Sequence, residues 1–350
     1  MIKTIKPSEM LLLVLVLIIF NGCKQNSVNP PEVDNQKLNE AFTKAASFSE
    51  LRSLVVARNG VIIKEQYFRT GGANTPSDVR SVTKSVTSLL IGVAIDKGFL
   101  QSVDQPIGQF IRPLVDTLST DKAAITIRNL LTMSSGFTWN ELDNQNEYNY
   151  WFYSAPNQVQ YLINRALVAK PGQVFDYNSA AVHLLSVILT KATNMKTKDF
   201  AQKYLFDSLG STIGSWETDD QGYNNGAAGL SITPHDMIKI GQLILNGGTY
   251  NGKRIVSPEW IEQTIKFHIT TNNALEFGPG YGYCWWFGQY IKGNYAFALG
   301  YGGQFIIVVP NLNLVVTATN NWNVLTDTIA NNDLFETLSL IMNNIIPAFN

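Results

Sequence analysis

The sequence predicts an α+β fold, an α/β sandwich in which one antiparallel sheet is drawn from both ends of the chain, flanked by helices, with a mostly helical region inserted between about residues 100 and 245. Two observations predict it. Strand-like runs cluster near residues 51–68 and again near 282–319, and the stretch between them carries chiefly helical patterns and loops. Strands so far apart in sequence share one sheet only if the two ends of the chain meet.

Taken in order, the first 22 residues read as a signal peptide. Lys3 and Lys6 precede an unbroken apolar run from Met10 to Phe20. That run is too short to cross a hydrocarbon core of about 30 Å as a helix, and it has the length of a signal-peptide core. Gly22-Cys23 follows, and a small residue before Cys at this place resembles a lipoprotein cleavage site, although Phe20 and Asn21 depart from the usual Leu and small residue. On this reading Cys23 is lipidated and becomes the new N-terminus; an ordinary secretion signal is the alternative. Residues 23–46 then form the lipidated Cys and a flexible tether, polar and carrying Pro30-Pro31. The chain is expected to be secreted across the inner membrane and held at the cell envelope by that lipid, with the periplasmic or surface face left open.

The folded part is read as residues 47–350. Leu51–Ala57 and Val61–Phe68 flank Asn59-Gly60, a strong hairpin signal because both positions accept φ > 0. Val79, Val82, Val86, Leu89, Leu90 and Val93 have helical spacing, with Ser77 or Asp78 as a cap and Lys97-Gly98 as the stop. Two further helices are predicted, one across the apolar stretch around His183 and one from Thr233-Pro234 to Gly247-Gly248. Strands are expected over Gly282–Phe287, Tyr295–Leu299, Gln304–Val309 and Leu314–Thr319. A closing helix carries Ile329, Leu334, Phe335, Leu338, Ile341 and Ile345.

Composition excludes several classes. The 350 residues are 45% hydrophobic and 15% charged, too apolar for a disordered chain. Lys+Arg 26 against Asp+Glu 27 leaves a net charge of −1, without the basic excess of a nucleic-acid binder. Two Cys and three scattered His leave no disulfide framework and little for a zinc site. His183 reads as a satisfied core residue, His235 as part of a helix start, and His268 as a loop residue. Of the tryptophans, Trp139, Trp151, Trp285 and Trp286 are read as core more readily than as pocket walls.

The chemistry concentrates at Ser81-Val82-Thr83-Lys84. Residues three apart share a helix face. A serine hydroxyl is a weak nucleophile until a base takes its proton, and a desolvated lysine is such a base. A second Ser-x-x-Lys, Ser119 to Lys122, lies in a polar loop and reads as a solvated turn.

Around this motif, SVTKSVTSLLIGVAIDKG, SVDQPI, ITIRNLLTMSSGF, PGQVFDYNSAAVHLLSVIL, GLSITPHDMIKIGQLILNGG and GYGGQFIIVVP follow in order. This order resembles the serine β-lactamase and penicillin-binding-protein superfamily, in particular its class C β-lactamase-like branch with esterases and 6-aminohexanoate-dimer hydrolases. The resemblance runs from about residue 47 to 347. It implies Ser81 as nucleophile, Lys84 as base and a tyrosine relay from a Tyr-x-Asn motif. Tyr177-Asn178-Ser179, opening an apolar helix, is taken over the literal Tyr223-Asn224-Asn225, with Ser179 in the third place. The third motif falls on Tyr301-Gly302-Gly303, where Tyr301 stands for a cation and the glycines let substrate approach. The backbone N–H of Gln304 would join that of Ser81 as the oxyanion hole. The resemblance implies no metal or organic cofactor and a small ester, amide or peptide as substrate; the Cys23 reading adds membrane attachment through the N-terminal lipid, and the charge balance speaks against nucleic acid. An esterase or short-amide hydrolase leads. A β-lactamase or D-Ala-D-Ala-type peptidase, and a penicillin-recognising or muropeptide-binding protein that acylates without turnover, stay open.

Overall fold

The computed structural model describes residues 32–142, 145–272 and 278–349. The signal peptide, Cys23 and the tether up to Pro31 lie outside the described residues.

The folded body begins at Val33, which corrects the C-terminal half of the expected tether. Helix α1 (Asn35–Ala45) starts where the Asp34 carboxylate accepts the Lys37 N–H at 3.0 Å. It buries Leu38, Ala41, Phe42 and Ala45. Those four positions make one stripe at helical spacing inside an otherwise polar segment, enough to dock a helix.

Strands β1 (Leu51–Arg58) and β2 (Val61–Tyr67) form the expected hairpin, with Asn59 at φ 50° and Gly60 at φ 80°. The other end of the chain supplies β3 (Ile269–Thr270), β4 (Gly280–Tyr281), β5 (Trp286–Tyr290), β6 (Gly293–Gly300), β7 (Gln304–Val309) and β8 (Leu314–Asn320). The sheet runs β2-β1-β8-β7-β6-β5-β4-β3, every neighbouring pair antiparallel. The two chain ends meet at β1 and β8, where Val55 faces Thr317. The strand expected over Gly282–Phe287 is split. Cys284 takes φ 57°, and the Gly282 N–H donates to Trp285 O at 2.8 Å, so the chain reverses between β4 and β5.

Helix α2 (Val82–Asp96) is buried on all sides except its last turn. Its start is later than expected. Ser77-Asp78 pair instead with Ser231-Ile232, and Arg80, at φ 49°, breaks the backbone just before Ser81. The polar side chains of α2 act as pins. Ser85 Oγ donates to Cys284 O at 2.6 Å and Thr87 Oγ1 to Gly226 O at 2.8 Å, while Thr83 Oγ1 accepts the Leu230 N–H at 3.3 Å. Two loops are thereby fixed around the first turn of the helix. Helix α3 (Ser179–Thr193) packs against α2. Helix α4 (Pro234–Leu245), capped by Thr233 and Asp236, packs on β8, β7 and β1. It belongs to the sheet layer, so the helical insertion ends before it. Helix α5 (Asp327–Leu340) follows β8. Among the described residues no helix is long and apolar enough to cross a membrane.

Candidate active site

Ser81 and Lys84 stand where β6 meets the start of α2. A Cβ on Gly300 would lie 2.3 Å from Val79 O, so only glycine lets the end of β6 press against the segment leading into Ser81. Ser81 opens on a cleft of about 430 Å³ lined also by Arg80, Glu141, Tyr148, Tyr177, Trp286, Leu299 and Tyr301. Asp327, Leu334 and Phe335 of α5 line it as well.

Lys84 is 1% exposed. Its Nζ donates to Ser81 Oγ at 2.7 Å and to Ala227 O at 3.1 Å. Burial lowers its pKa to about 8; Glu141 and Cys284 oppose that fall, and Arg80 reinforces it. A substantial fraction is therefore neutral near pH 8. Tyr177 is buried, with its ring stacked at 5.8 Å on Trp286 and the Lys84 ammonium 4.8 Å from its centroid. Burial and then Glu141 hold the pKa of its phenol well above the ordinary tyrosine value, and the nearby Ser81 opposes that rise. The group is a phenol that carries a proton. The structure thus brings Ser81, Lys84 and Tyr177 together.

Ser179 is placed otherwise than expected. It is fully buried and does not line the cleft; its N–H and hydroxyl both donate to the Glu141 carboxylate, at 2.9 and 2.6 Å. Trp139 Nε1 donates to the same carboxylate at 2.9 Å. The third residue of the tyrosine motif therefore anchors an acid on the cleft wall. Glu141 was missed because its partner lies 38 residues downstream. The available signal was an acid two residues after Trp139, just past the SSGF turn.

The third motif is shifted. Gly302 and Gly303, at φ 72° and 89°, shape the turn between β6 and β7 and face Trp322 and Asn320 rather than the cleft. Gln304 is buried behind the turn. Its side chain donates to Tyr301 O at 3.3 Å and to Asn320 O at 3.1 Å, and its backbone pairs opposite Gly300. Tyr301 is the residue of this turn that lines the cleft, its hydroxyl donating to Asp327. Neither the Ser81 N–H nor the Tyr301 N–H has an acceptor among the described residues.

Arg80 is a further residue the sequence reading passed over, although it directly precedes the nucleophile. Its guanidinium lies 4.4 Å from the Trp322 ring centroid and 3.3 Å from Asp78.

The other candidates do not join the site. Ser119 donates to Asp121, and Lys122 reaches Ile163 O at 2.7 Å, so the second Ser-x-x-Lys has no internal bond. Tyr223 does not line the cleft; Lys191 sits 5.8 Å from its ring centroid. His183 pairs with Asp219 at 3.0 Å in the core, His235 bonds Glu65 and Tyr67, and His268 stacks on Tyr283. Trp139, Trp151 and Trp285 are buried, and Trp286 is the one of the four that lines the cleft.

Residues 52–336 match the beta-lactamase family model. The chain is 25% identical over 311 residues to a 6-aminohexanoate-dimer hydrolase of Paenarthrobacter ureafaciens, covering 82% of this chain and 74% of that protein. Among solved structures it resembles EstCE1, a hydrolase with promiscuous acyltransferase activity, with a TM-score of 0.68, 15% identity and 86% and 98% of the two chains covered. It also resembles the octameric penicillin-binding protein homologue of Pyrococcus abyssi, with a TM-score of 0.63, 19% identity and 89% and 77% covered. These likenesses show the β-lactamase/transpeptidase-like fold. With the family match spanning most of the folded body, the chain belongs to the beta-lactamase family, whose members are serine hydrolases.

Proposed function

We propose that this chain is a serine hydrolase that cleaves an ester or short amide through an acyl-enzyme on Ser81, and that it acts outside the inner membrane, held by a lipid on Cys23. The observation that carries the catalytic part is the 2.7 Å contact between Lys84 Nζ and Ser81 Oγ, with Tyr177 lining the same cleft and its ring centroid 4.8 Å from the Lys84 amine.

In this mechanism neutral Lys84 takes the Ser81 proton as Oγ attacks the carbonyl carbon. The Ser81 and Tyr301 N–H groups receive the developing oxyanion, a form of stabilisation worth about 3–4 kcal/mol per donor elsewhere. The proton then reaches the leaving oxygen or nitrogen through the Tyr177 phenol, which leaves Lys84 neutral. Water attacks the acyl-enzyme by the reverse path, and its proton passes to Lys84 and back to Ser81. The activity named for the Paenarthrobacter relative supports the amide arm. Leu299 and Tyr301 stand on the cleft at the strand end, where a β-lactam or peptide carboxylate would need a cation.

A fluorophosphonate probe followed by mass spectrometry, with a panel of short esters, linear amides and nitrocefin, tests the reading. Labelling at Ser81 with multiple turnover of an ester or amide is expected. Faster turnover of nitrocefin would reassign the substrate to β-lactams. Stoichiometric labelling without turnover would make the protein a binder.

A further inference from the structure

We propose that Asn225 is a positioning residue for the base: it holds the 225–228 turn so that the Ala227 carbonyl fixes the Lys84 amine against Ser81. This rests on the hydrolase reading above. Asn225 is the last residue of the Tyr223-Asn224-Asn225 triplet, which has no part in the proton relay proposed here.

Asn225 is fully buried, and its side-chain amide is used on both sides. Its Oδ1 accepts the N–H groups of Ala227 and Ala228 at 3.0 and 3.2 Å. An amide closing on the backbone two and three residues ahead sets a turn without regular secondary structure. Its Nδ2 donates to the Tyr148 hydroxyl at 3.0 Å. The backbone is held as well. The Asn225 N–H donates to Glu217 O at 2.7 Å, and Asn225 O accepts Trp216 Nε1 at 2.8 Å. Gly226 is gripped by the α3 and α2 side chains, its N–H donating to His183 Nδ1 at 3.3 Å and its carbonyl accepting Thr87 Oγ1.

This arrangement decides where Ala227 O points. A neutral lysine has one lone pair and two N–H bonds. To act as base it must turn the lone pair toward Ser81, so an N–H must go elsewhere, and Ala227 O is the acceptor at 3.1 Å. The carbonyl sets the rotation of the amine, and Asn225 sets the carbonyl. The same side chain braces Tyr148, so a wall of the cleft and the orientation of the base depend on one buried amide. The ionisable groups around Lys84 are Glu141, Cys284, Tyr177 and Arg80.

The experiment measures the rate of phosphonate labelling of Ser81 against pH in the full-length protein, with thermal melting of each variant as the folding control. Asn225→Ala leaves the two N–H groups of the turn without their acceptor, and the labelling rate on the high-pH plateau should fall about 10²-fold, the cost of an ångström-scale misplacement. Asn225→Asp keeps the acceptor and should restore most of the plateau. Its carboxylate, two residues from the carbonyl that holds Lys84, should move the acid limb upward by roughly half a pH unit or more. A folded Asn225→Ala with plateau and limb within twofold of the parent overturns the proposal. So does an Asn225→Asp plateau no better than that of Asn225→Ala. If Asn225→Ala does not fold, the decision falls to Asn225→Asp, where a plateau below a tenth of the parent's overturns the proposal. Absence of Ser81 labelling in the parent sinks the hydrolase reading itself, and this assignment with it.

Discussion

Lys84 Nζ lies 2.7 Å from Ser81 Oγ, one helical turn along α2, in a site that excludes nearly all water from the amine. A buried amine beside a hydroxyl is poised to accept its proton only when it is uncharged. Burial brings Lys84 down to about 8 against 10.5 for a free side chain. The rate should therefore rise with pH along a limb centred near 8 and level off above it. A pH–kcat/KM profile checks this, and a limb left at 10 or higher would count against Lys84 as base. Lys84→Met should lower kcat by about 10²–10⁴-fold, the usual share of a general base.

The same burial has a consequence for stability. The folded pKa is depressed below the unfolded one, so between about 8 and 10.5 the unfolded chain binds more protons and stability rises with pH. Below that window the parent carries a penalty on the order of 3 kcal/mol for its buried ammonium. Lys84→Met should then melt at or above the parent at pH 7. Its advantage should shrink as pH is raised through the window, as read by melting curves at several pH values.

Tyr177 and Tyr223 are the two tyrosines that motif reading left in competition. Tyr177 lines the cleft with Ser81 and has the Lys84 amine 4.8 Å from its ring centroid, whereas Tyr223 does not line the cleft. Tyr177→Phe should slow turnover about 10²-fold with little loss of stability, since the ring and its stacking on Trp286 are kept. Tyr223→Phe should stay within about twofold of the parent. Steady-state kinetics on one ester substrate decides between them.

Much of this site was legible because its parts are local in sequence. Ser81 and Lys84 are three apart, and Tyr177 opens an apolar helix two residues before its first position. What could not be read depends on distant partners or on turn geometry. The start of α2 moved because Ser77-Asp78 found strand partners more than 150 residues away. Ser179 was assigned toward substrate because its bond to Glu141 has no sequence signature. That Tyr301 rather than the two glycines lines the cleft could not be read, because the Gly300–Gln304 turn is set by packing against Val79 and Asn320. In α1, four apolar positions were diluted by polar neighbours, and only docking shows them as a face.

Gln304 gives a test of that turn. Its amide braces Tyr301 O and Asn320 from behind. Gln304→Leu removes those bonds, including the acceptor of the Asn320 N–H, and leaves the Gln304 and Tyr301 backbone N–H groups in the chain. If Tyr301 supplies the oxyanion donor, the loosened turn should lower kcat about tenfold and cost about 1–3 kcal/mol of stability through the unpaired polar groups left behind. Urea unfolding with kcat in parallel measures both, and an unchanged kcat would return the donor role to the Gln304 backbone.

The lipid proposed on Cys23 is separable from the chemistry. Cys23→Ser should move the protein from the membrane fraction to the soluble one while kcat/KM for a soluble ester stays the same. Retention in the membrane fraction, or a parent N-terminal peptide without acyl mass, would remove the anchor from the proposal and leave the hydrolase intact.

Glu141 and Ser179 offer the last prediction. The carboxylate is 5% exposed and accepts three hydrogen bonds, two of them from Ser179. Ser179→Ala keeps the backbone donor and deletes the 2.6 Å hydroxyl bond, so a buried carboxylate oxygen loses its partner. The cost should be about 1–3 kcal/mol, because the acceptor is charged. With its acid less well satisfied, the cleft wall should favour the protonated lysine more strongly and move the acid limb of the rate profile to higher pH. A loss of stability with the limb unmoved would mean that Glu141 serves packing alone. A limb shift would show that the third position of the tyrosine motif tunes the base through an acid rather than by contact with substrate.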